Sequence, residues 1–153
     1  MSRVQIALNV TNLEEAIGFY SRLFATEPAQ VRPGYANFAV AEPPLKLVLI
    51  EGEVGGTLNH LGVEVGSTDE VAATDARLRD QGLVTATEDQ VSCCFAVQDK
   101  VWVDGPDGEP WEVYTVLADV EHPQGELRTA EPGDTARCGS TVSPETAARL
   151  HCC

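Results

Sequence analysis

The chain has 153 residues, 43% hydrophobic and 22% charged, a balance that suits one globular body with a core of its own. Twenty-four acidic residues against ten basic ones leave a net charge of −14. With no basic stripe, such a field repels phosphate backbones and argues against nucleic acid as a partner.

The start, MSRVQIALNV, lacks the apolar run of a signal peptide, and no stretch is long enough to span a bilayer, so a cytoplasmic protein is expected. Cytosolic thiols stay reduced, and five cysteines is an odd number. Free, metal-binding or reactive thiols are therefore expected instead of a disulfide framework.

In chain order, QIALNVTNLEEA (5–16) alternates Ile6, Leu8 and Val10, the period of a strand with one buried face. It then reaches a helix start, with Asn12 as cap and Glu15 three residues on. Leu13, Ala16, Ile17, Tyr20, Leu23 and Phe24 follow at helical spacing, and YANFAVAE and LKLVLIEG read as strands. HLGVEVGSTDEV (60–71) then repeats the opening pattern 55 residues later. Leu61, Val63 and Val65 alternate, Ser67 and Glu70 mark a second helix start, and Val71, Leu78 and several alanines form its apolar side. CCFAVQD, KVWVDG and PWEVYTVL read as three further strands, with GPDG (105–108) as a hairpin turn. Asp99 and Lys100 interrupt the apolar pattern and are expected at a loop tip.

Each half thus reads as βαβββ, about 1–57 and 58–119. The expected fold is α+β, one body over 1–119 in which two βαβββ modules form an open curved sheet around a metal-binding cleft. Beyond it, 120–142 are rich in Pro, Gly, Glu and Thr and predict a flexible tail. SPETAARLHCC, with Ser143 as cap before Pro144, predicts a short helix ending in His151, Cys152 and Cys153, with Cys138 upstream. Those three tail thiols are candidates for carrying soft, thiophilic ions.

If the apolar faces seat the helices, then Gln5, Ala7 and Asn9 face the cleft, as do His60, Gly62 and Glu64. The last strand adds Glu112 and Tyr114 on one face, with Trp111 and Val113 on the other. Gln5 and His60 are equivalent positions of the repeat, and equivalent positions tend to meet across a pseudo-twofold axis. Gln5, His60 and Glu112 are therefore expected to form a metal triad. An amide oxygen, an imidazole and a carboxylate resemble a two-His-one-carboxylate face with open positions, the pattern of non-haem Fe(II).

The paired βαβββ halves, with ligands on the first strand of each and on the last strand, resemble the vicinal oxygen chelate (glyoxalase/dioxygenase) superfamily. Gln5, His60 and Glu112, with the segments TLNHLGVEV, CCFA, DKVWV and PWEVYTVLAD, resemble a narrower group across residues 1–119. These are the ArsI-type C–As lyases and the similar CadI cadmium-induced proteins. The resemblance implies an Fe(II)-dependent dioxygenase, with O2 as co-substrate, that cleaves the carbon–arsenic bond of trivalent organoarsenicals and so detoxifies arsenic. In that superfamily ring-cleaving dioxygenases have His where this chain has Gln5, and glyoxalases commonly pair Gln with a fourth, acidic ligand. Glu51 is the candidate for that fourth position here. An amide oxygen donates more weakly than imidazole, so iron is expected to be held less tightly.

Trivalent arsenic is thiophilic, and Cys93 and Cys94 are the expected substrate ligands. Neighbours on a regular strand point to opposite faces, so both sulfurs can reach one arsenic only if the pair sits in a loop or bulge. Lys100, if on a mobile loop, would favour the thiolates. Tyr114 can be packing or a neighbour of the ligands. Competing readings are a non-catalytic cadmium or soft-metal thiol-binding protein, a glyoxalase-like isomerase or lyase, and a metal-free drug-binding resistance protein. The sequence leaves open the arsenic substituent, methyl or aryl, and the choice of monomer or homodimer.

Overall fold

A computed structural model describes residues 2–93 and 95–119. The alternating segment at the start is β1 (Arg3–Val10), and Asn12 caps α1 (Leu13–Phe24) by accepting the Glu15 N–H at 3.0 Å. β2 (Gln30–Arg32), β3 (Tyr35–Val40) and β4 (Leu45–Glu51) complete the first βαβββ unit. The second is β5 (Thr57–Glu64), α2 (Thr68–Asp80), β6 (Thr85–Cys93), β7 (Ala96–Asp104) and β8 (Pro110–Asp119). Ser67 caps α2 through the Glu70 N–H at 3.2 Å, while the Glu70 carboxylate reaches back to the Gly66 N–H at 3.0 Å.

All eight strands join one sheet in the order β2-β3-β4-β1-β5-β8-β7-β6. β1 and β5 run antiparallel at its centre, and each pairs in parallel with the last strand of its own unit, β4 or β8. One face of the first half packs on α1, where Leu13 and Ala16 meet Ala36, Phe38, Val40, Leu47 and Leu49. α2 covers the same face of the second half over β6, β7 and β8, with Val71 as its buried residue.

The opposite face is the cleft, and its curvature is visible in one contact. Phe95, at the tip between β6 and β7, is buried against Ala7, Tyr35 and Val48 of the first half. Its ring lies 5.5 Å from that of Tyr35. β6 and β2 are the two outermost strands, so a flat sheet could not bring this tip over β4 and β1.

Two strand expectations are corrected. AVQD and KVWVD form one continuous strand, β7, with Asp99 and Lys100 inside it. The strand before it is the polar stretch TATEDQVSC, which lacks apolar alternation. Asp99 and Lys100 do not break β7 because each polar group is satisfied, on opposite faces. Asp99 accepts from Thr68 Oγ1 at 2.6 Å and from the Gln90 N–H at 2.8 Å. Gln90 is a positive-φ residue (φ 51) where β6 bulges between Glu88 and Val91. Asp99 therefore ties the bulge to the first turn of α2. The expected tail at 120–153, with its short helix and with Cys138, His151, Cys152 and Cys153, lies outside the described residues.

Asp99→Ala removes two part-buried hydrogen bonds, from Thr68 and from the Gln90 N–H, and is expected to cost about 1 kcal/mol of stability. Urea denaturation measures this, and a change within experimental error would show that the bulge does not depend on it.

Candidate metal centre

Gln5, His60 and Glu112 project into the cleft from β1, β5 and β8, and their donor atoms converge. Gln5 Nε2 lies 3.0 Å from His60 Nε2 and 2.7 Å from Glu112 Oε1, and His60 Nε2 is 3.3 Å from the same oxygen. All three side chains are buried. The close approach depends on Gly62, whose partners are Gln5 in β1 and Glu112 in β8. A Cβ there would stand 3.1 Å from Glu112 Cγ and 3.3 Å from Gln5 Nε2.

A chain of amides sets the imidazole. Asn9 donates to Thr57 Oγ1 at 2.9 Å, Asn59 donates to Asn9 Oδ1 at 2.9 Å, and Asn59 Oδ1 is left to accept from His60 Nδ1 at 2.7 Å. The ring proton is thus on Nδ1, and the Nε2 lone pair faces the cleft centre. Trp102 backs the ring edge-on, 5.5 Å between centroids.

Two acceptors, His60 Nε2 and Glu112 Oε1, therefore point at one spot with no hydrogen of their own between them. The Gln5 NH2 group fills that need, giving one hydrogen to each. A divalent cation meets the same need. Ligand distances of about 2.1 Å at right angles place neighbouring donors about 3 Å apart, which is the spacing found here. The donor set fits a metal, provided the Gln5 amide turns its oxygen inward.

Lys100 lies beside this centre. It is buried mid-strand, with Nζ 2.8 Å from Glu112 Oε2. The expectation of a Lys100 loop is thus overturned, because a buried ammonium ion-paired across two strands cannot sit at a tip. Burial alone would push the Glu112 carboxyl up, but the Lys100 ammonium beside it outweighs this and holds it well below the usual carboxylate range. Tyr114 donates to Gln5 Oε1 at 2.6 Å and lies 3.1 Å from Glu64 Oε2, which Arg3 holds at 2.9 Å. Burial, and then the carboxylates of Glu64 and Glu112, push its phenol well above the usual range.

The strand register carries the internal symmetry exactly as an offset of 55 requires. Gln5 pairs with Gly62 and Ala7 with His60, so the two pairs exchange under the pseudo-twofold. Gly62 neighbours Glu112 in β8, and its counterpart Ala7 neighbours Val48 in β4. The place related to Glu112 is thus held by Val48, which Phe95 covers. Glu51, the expected fourth ligand of a glyoxalase-like site, is elsewhere: its Oε1 accepts the Leu13 N–H at 2.8 Å and caps α1.

The thiol-bearing segment ends at the same cleft. Cys93 is the last residue of β6 and pairs with Ala96, and Phe95 (φ 66) turns the chain between them. Cys94 lies outside the described residues, as does the side chain of Cys93. Gln98 is buried on the cleft face between this tip and Lys100, and its Oε1 has no hydrogen-bond partner among the described residues. Phe95 and Gln98 were not singled out in the sequence, since neither carries metal chemistry. The hint for Gln98 was its even spacing from Lys100 and Trp102 along one strand.

Residues 3–113, from β1 to the fourth residue of β8, match the model of the Glyoxalase/Bleomycin resistance protein/Dioxygenase superfamily. The chain belongs to this superfamily. Among superfamily relatives, the cadmium-induced protein CadI of Mycobacterium tuberculosis is 70% identical over 122 residues, covering 79% of this chain and 80% of that protein. A protein named trivalent organoarsenical cleaving enzyme, from Thermomonospora curvata, is 54% identical over 149 residues, covering 95% of this chain and 99% of that one. Among solved structures, an extradiol ring-cleaving dioxygenase from B. fuscum superposes with a TM-score of 0.59 at 22% identity. That match covers 78% of this chain and 34% of the dioxygenase and shows the shared superfamily fold.

Lys100→Met, studied with a chelator present, leaves Glu112 buried without its cation and is expected to cost about 3 kcal/mol near neutral pH. Glu112 titrates far below its ordinary 4.5, so its contribution is present above that pH and is lost as pH falls towards about 2. The variant's deficit in urea denaturation should therefore be largest near neutral pH and smallest towards pH 2. It should begin to shrink while the pH is still above 4.5, where the uncompensated buried carboxylate takes up a proton. A pH-independent deficit would locate the role of Lys100 elsewhere.

Proposed function

We propose that this chain is an Fe(II)-dependent dioxygenase that cleaves the carbon–arsenic bond of trivalent organoarsenicals such as methylarsonous acid. The observation that carries the reading is the convergence of Gln5, His60 and Glu112 in one buried cleft, beneath a tip that bears vicinal cysteines. The organoarsenical-cleaving relative, alike over nearly the whole chain, supports the same substrate class.

Cys93 and Cys94 take the arsenical: two As–S bonds form as two As–OH groups leave as water, and the As–C bond is untouched. Phe95 anchors this tip against Ala7, Tyr35 and Val48, so the captured arsenic is held over the cleft. Much of the entropy cost of alignment then falls on binding. His60, with its proton held on Nδ1 by Asn59, offers Nε2 to the metal. Glu112 offers Oε1 while Lys100 keeps Oε2, and Gln5 offers its amide oxygen. When bound, Fe(II) supplies the one-electron chemistry that lets dioxygen react with a carbon centre. Gln98 supplies a hydrogen-bond acceptor on the same face. For methylarsonous acid the overall change balances as CH3As(OH)2 + O2 → As(OH)3 + HCHO. Arsenic stays trivalent, and carbon gives up the four electrons that oxygen takes.

With Val48 at the symmetry-related place and Glu51 capping α1, the described residues offer no fourth acidic donor of the kind a glyoxalase-like site would need. A thiol-based sequestering protein is the remaining competitor, and the tail cysteines would belong to it.

Protein loaded anaerobically with Fe(II) and methylarsonous acid, then exposed to oxygen, should release arsenite only when both iron and oxygen are present. Stoichiometric arsenic binding without arsenite release would make the chain a sequestering protein. The double variant Cys93→Ser/Cys94→Ser should lose arsenical capture and at least 10-fold in turnover, on the order of what losing a binding contact to the reacting group costs. Its metal affinity should be unchanged. Full turnover in that variant would remove the thiols from the reaction.

A further inference from the structure

The Gln5 amide poses a question that the other two donors do not. Its nitrogen, not its oxygen, faces the cleft centre, because Tyr114 gives its hydroxyl proton to Gln5 Oε1 at 2.6 Å. An NH2 group cannot ligate a cation. Metal entry therefore requires the amide to turn over, which places the NH2 against the Tyr114 hydroxyl. That hydroxyl has one proton and must then become an acceptor for Gln5. A second outlet for its proton already exists in Glu64 Oε2, 3.1 Å away. Glu64 is fixed for the purpose by Arg3 Nε and Nη2, both at 2.9 Å, with Lys46 Nζ at 3.7 Å.

We propose that Tyr114 is a positioning residue whose hydroxyl, by swinging its proton from Gln5 to Glu64, determines which atom of the Gln5 amide the metal meets. The inference rests on the metal-site reading above. The Gln5 amide oxygen, the Tyr114 hydroxyl and the Glu64 carboxylate each keep a partner in both arrangements. Without metal, Gln5 donates to His60 and Glu112 and accepts from Tyr114. With metal, the amide oxygen faces the cation, the NH2 donates to the phenol oxygen, and the phenol donates to Glu64. With phenylalanine at 114, the inverted amide would turn a buried NH2 towards an apolar ring, so only the metal-competent orientation is penalised. A carboxylate at position 5 would remove the need for Tyr114, since it presents oxygen on both sides.

The test is a Co(II) absorbance titration of four chains: wild type, Tyr114→Phe, Gln5→Glu, and the double variant. Tyr114→Phe should weaken Co(II) binding about 10- to 100-fold in the wild-type background. In the Gln5→Glu background the same change should stay within about twofold. Equal losses in both backgrounds would mean that Tyr114 merely supports the fold, and no loss in either would overturn the proposal. A wild-type chain that takes up no Co(II) would remove the metal reading itself, a result distinct from both. A second readout needs no variant: in wild-type protein the Gln5 NH2 protons should show a nuclear Overhauser contact to the Tyr114 ring with Zn(II) added and lose it in chelator. Identical contacts in both states would overturn the amide inversion.

Discussion

Glu112 carries a negative charge where water does not reach, with 2% of its side chain exposed, and such a charge must be met from within the protein. Lys100 meets one oxygen from the adjacent strand, and Gln5 meets the other from across the sheet centre. Both arrive because β8 lies between β7 and β5, with β1 on the far side of β5. The strand order thus follows the electrostatics of one carboxylate as closely as it follows the apolar core. The pair leaves one Glu112 oxygen held and one aimed at the acceptor nitrogen of His60. A hydrogen-bond donor or a cation completes that geometry, and another acceptor would not.

The curvature of the sheet serves a different demand. A flat sheet would leave the β6–β7 tip in solvent, more than four strands from β4. Curved, the sheet brings Phe95 onto Ala7, Tyr35 and Val48 in an apolar contact between the two halves. Burying an aromatic ring of this kind is worth about 2 kcal/mol, enough to hold a tip whose backbone at Phe95 sits at positive φ. The anchor and the thiols are neighbours in sequence, so the packing of Phe95 would bear directly on the arsenical capture proposed above.

Much of this was legible in the residues. Period-two alternation in QIALNV, HLGVEV and PWEVYTV put Gln5, His60 and Glu112 on one face, and the repeat made Gln5 and His60 symmetry mates. Helix starts were legible because Asn12 and Ser67 act through neighbours three residues away. What escaped were features decided by distant partners. Asp99 and Lys100 looked like a break because polar residues seldom occupy a central strand, and their partners, Thr68 and Glu112, are not neighbours in the chain. β6 is an edge strand with a bulge, so no apolar alternation marks it, and β2 is three residues long. Glu51 was placed by its type, whereas the odd–even phase of β4 sends Ile50 to the cleft and Glu51 to the helix side.

The two halves of the repeat have diverged most where symmetry would have made them most alike. Glu112 and Val48 occupy related places beside Gly62 and Ala7, yet one half gathers charge there and the other an apolar seat. A second carboxylate in place of Val48 would face Glu112 across a buried cleft and would need a second cation. It would also leave Phe95 without its seat. On the reading proposed above, one half of the duplication would assemble donors for a metal, while the other gives Phe95 its apolar seat. Neither task could be done at both places at once, because a charged cluster and an apolar seat require opposite surroundings within the same few ångströms.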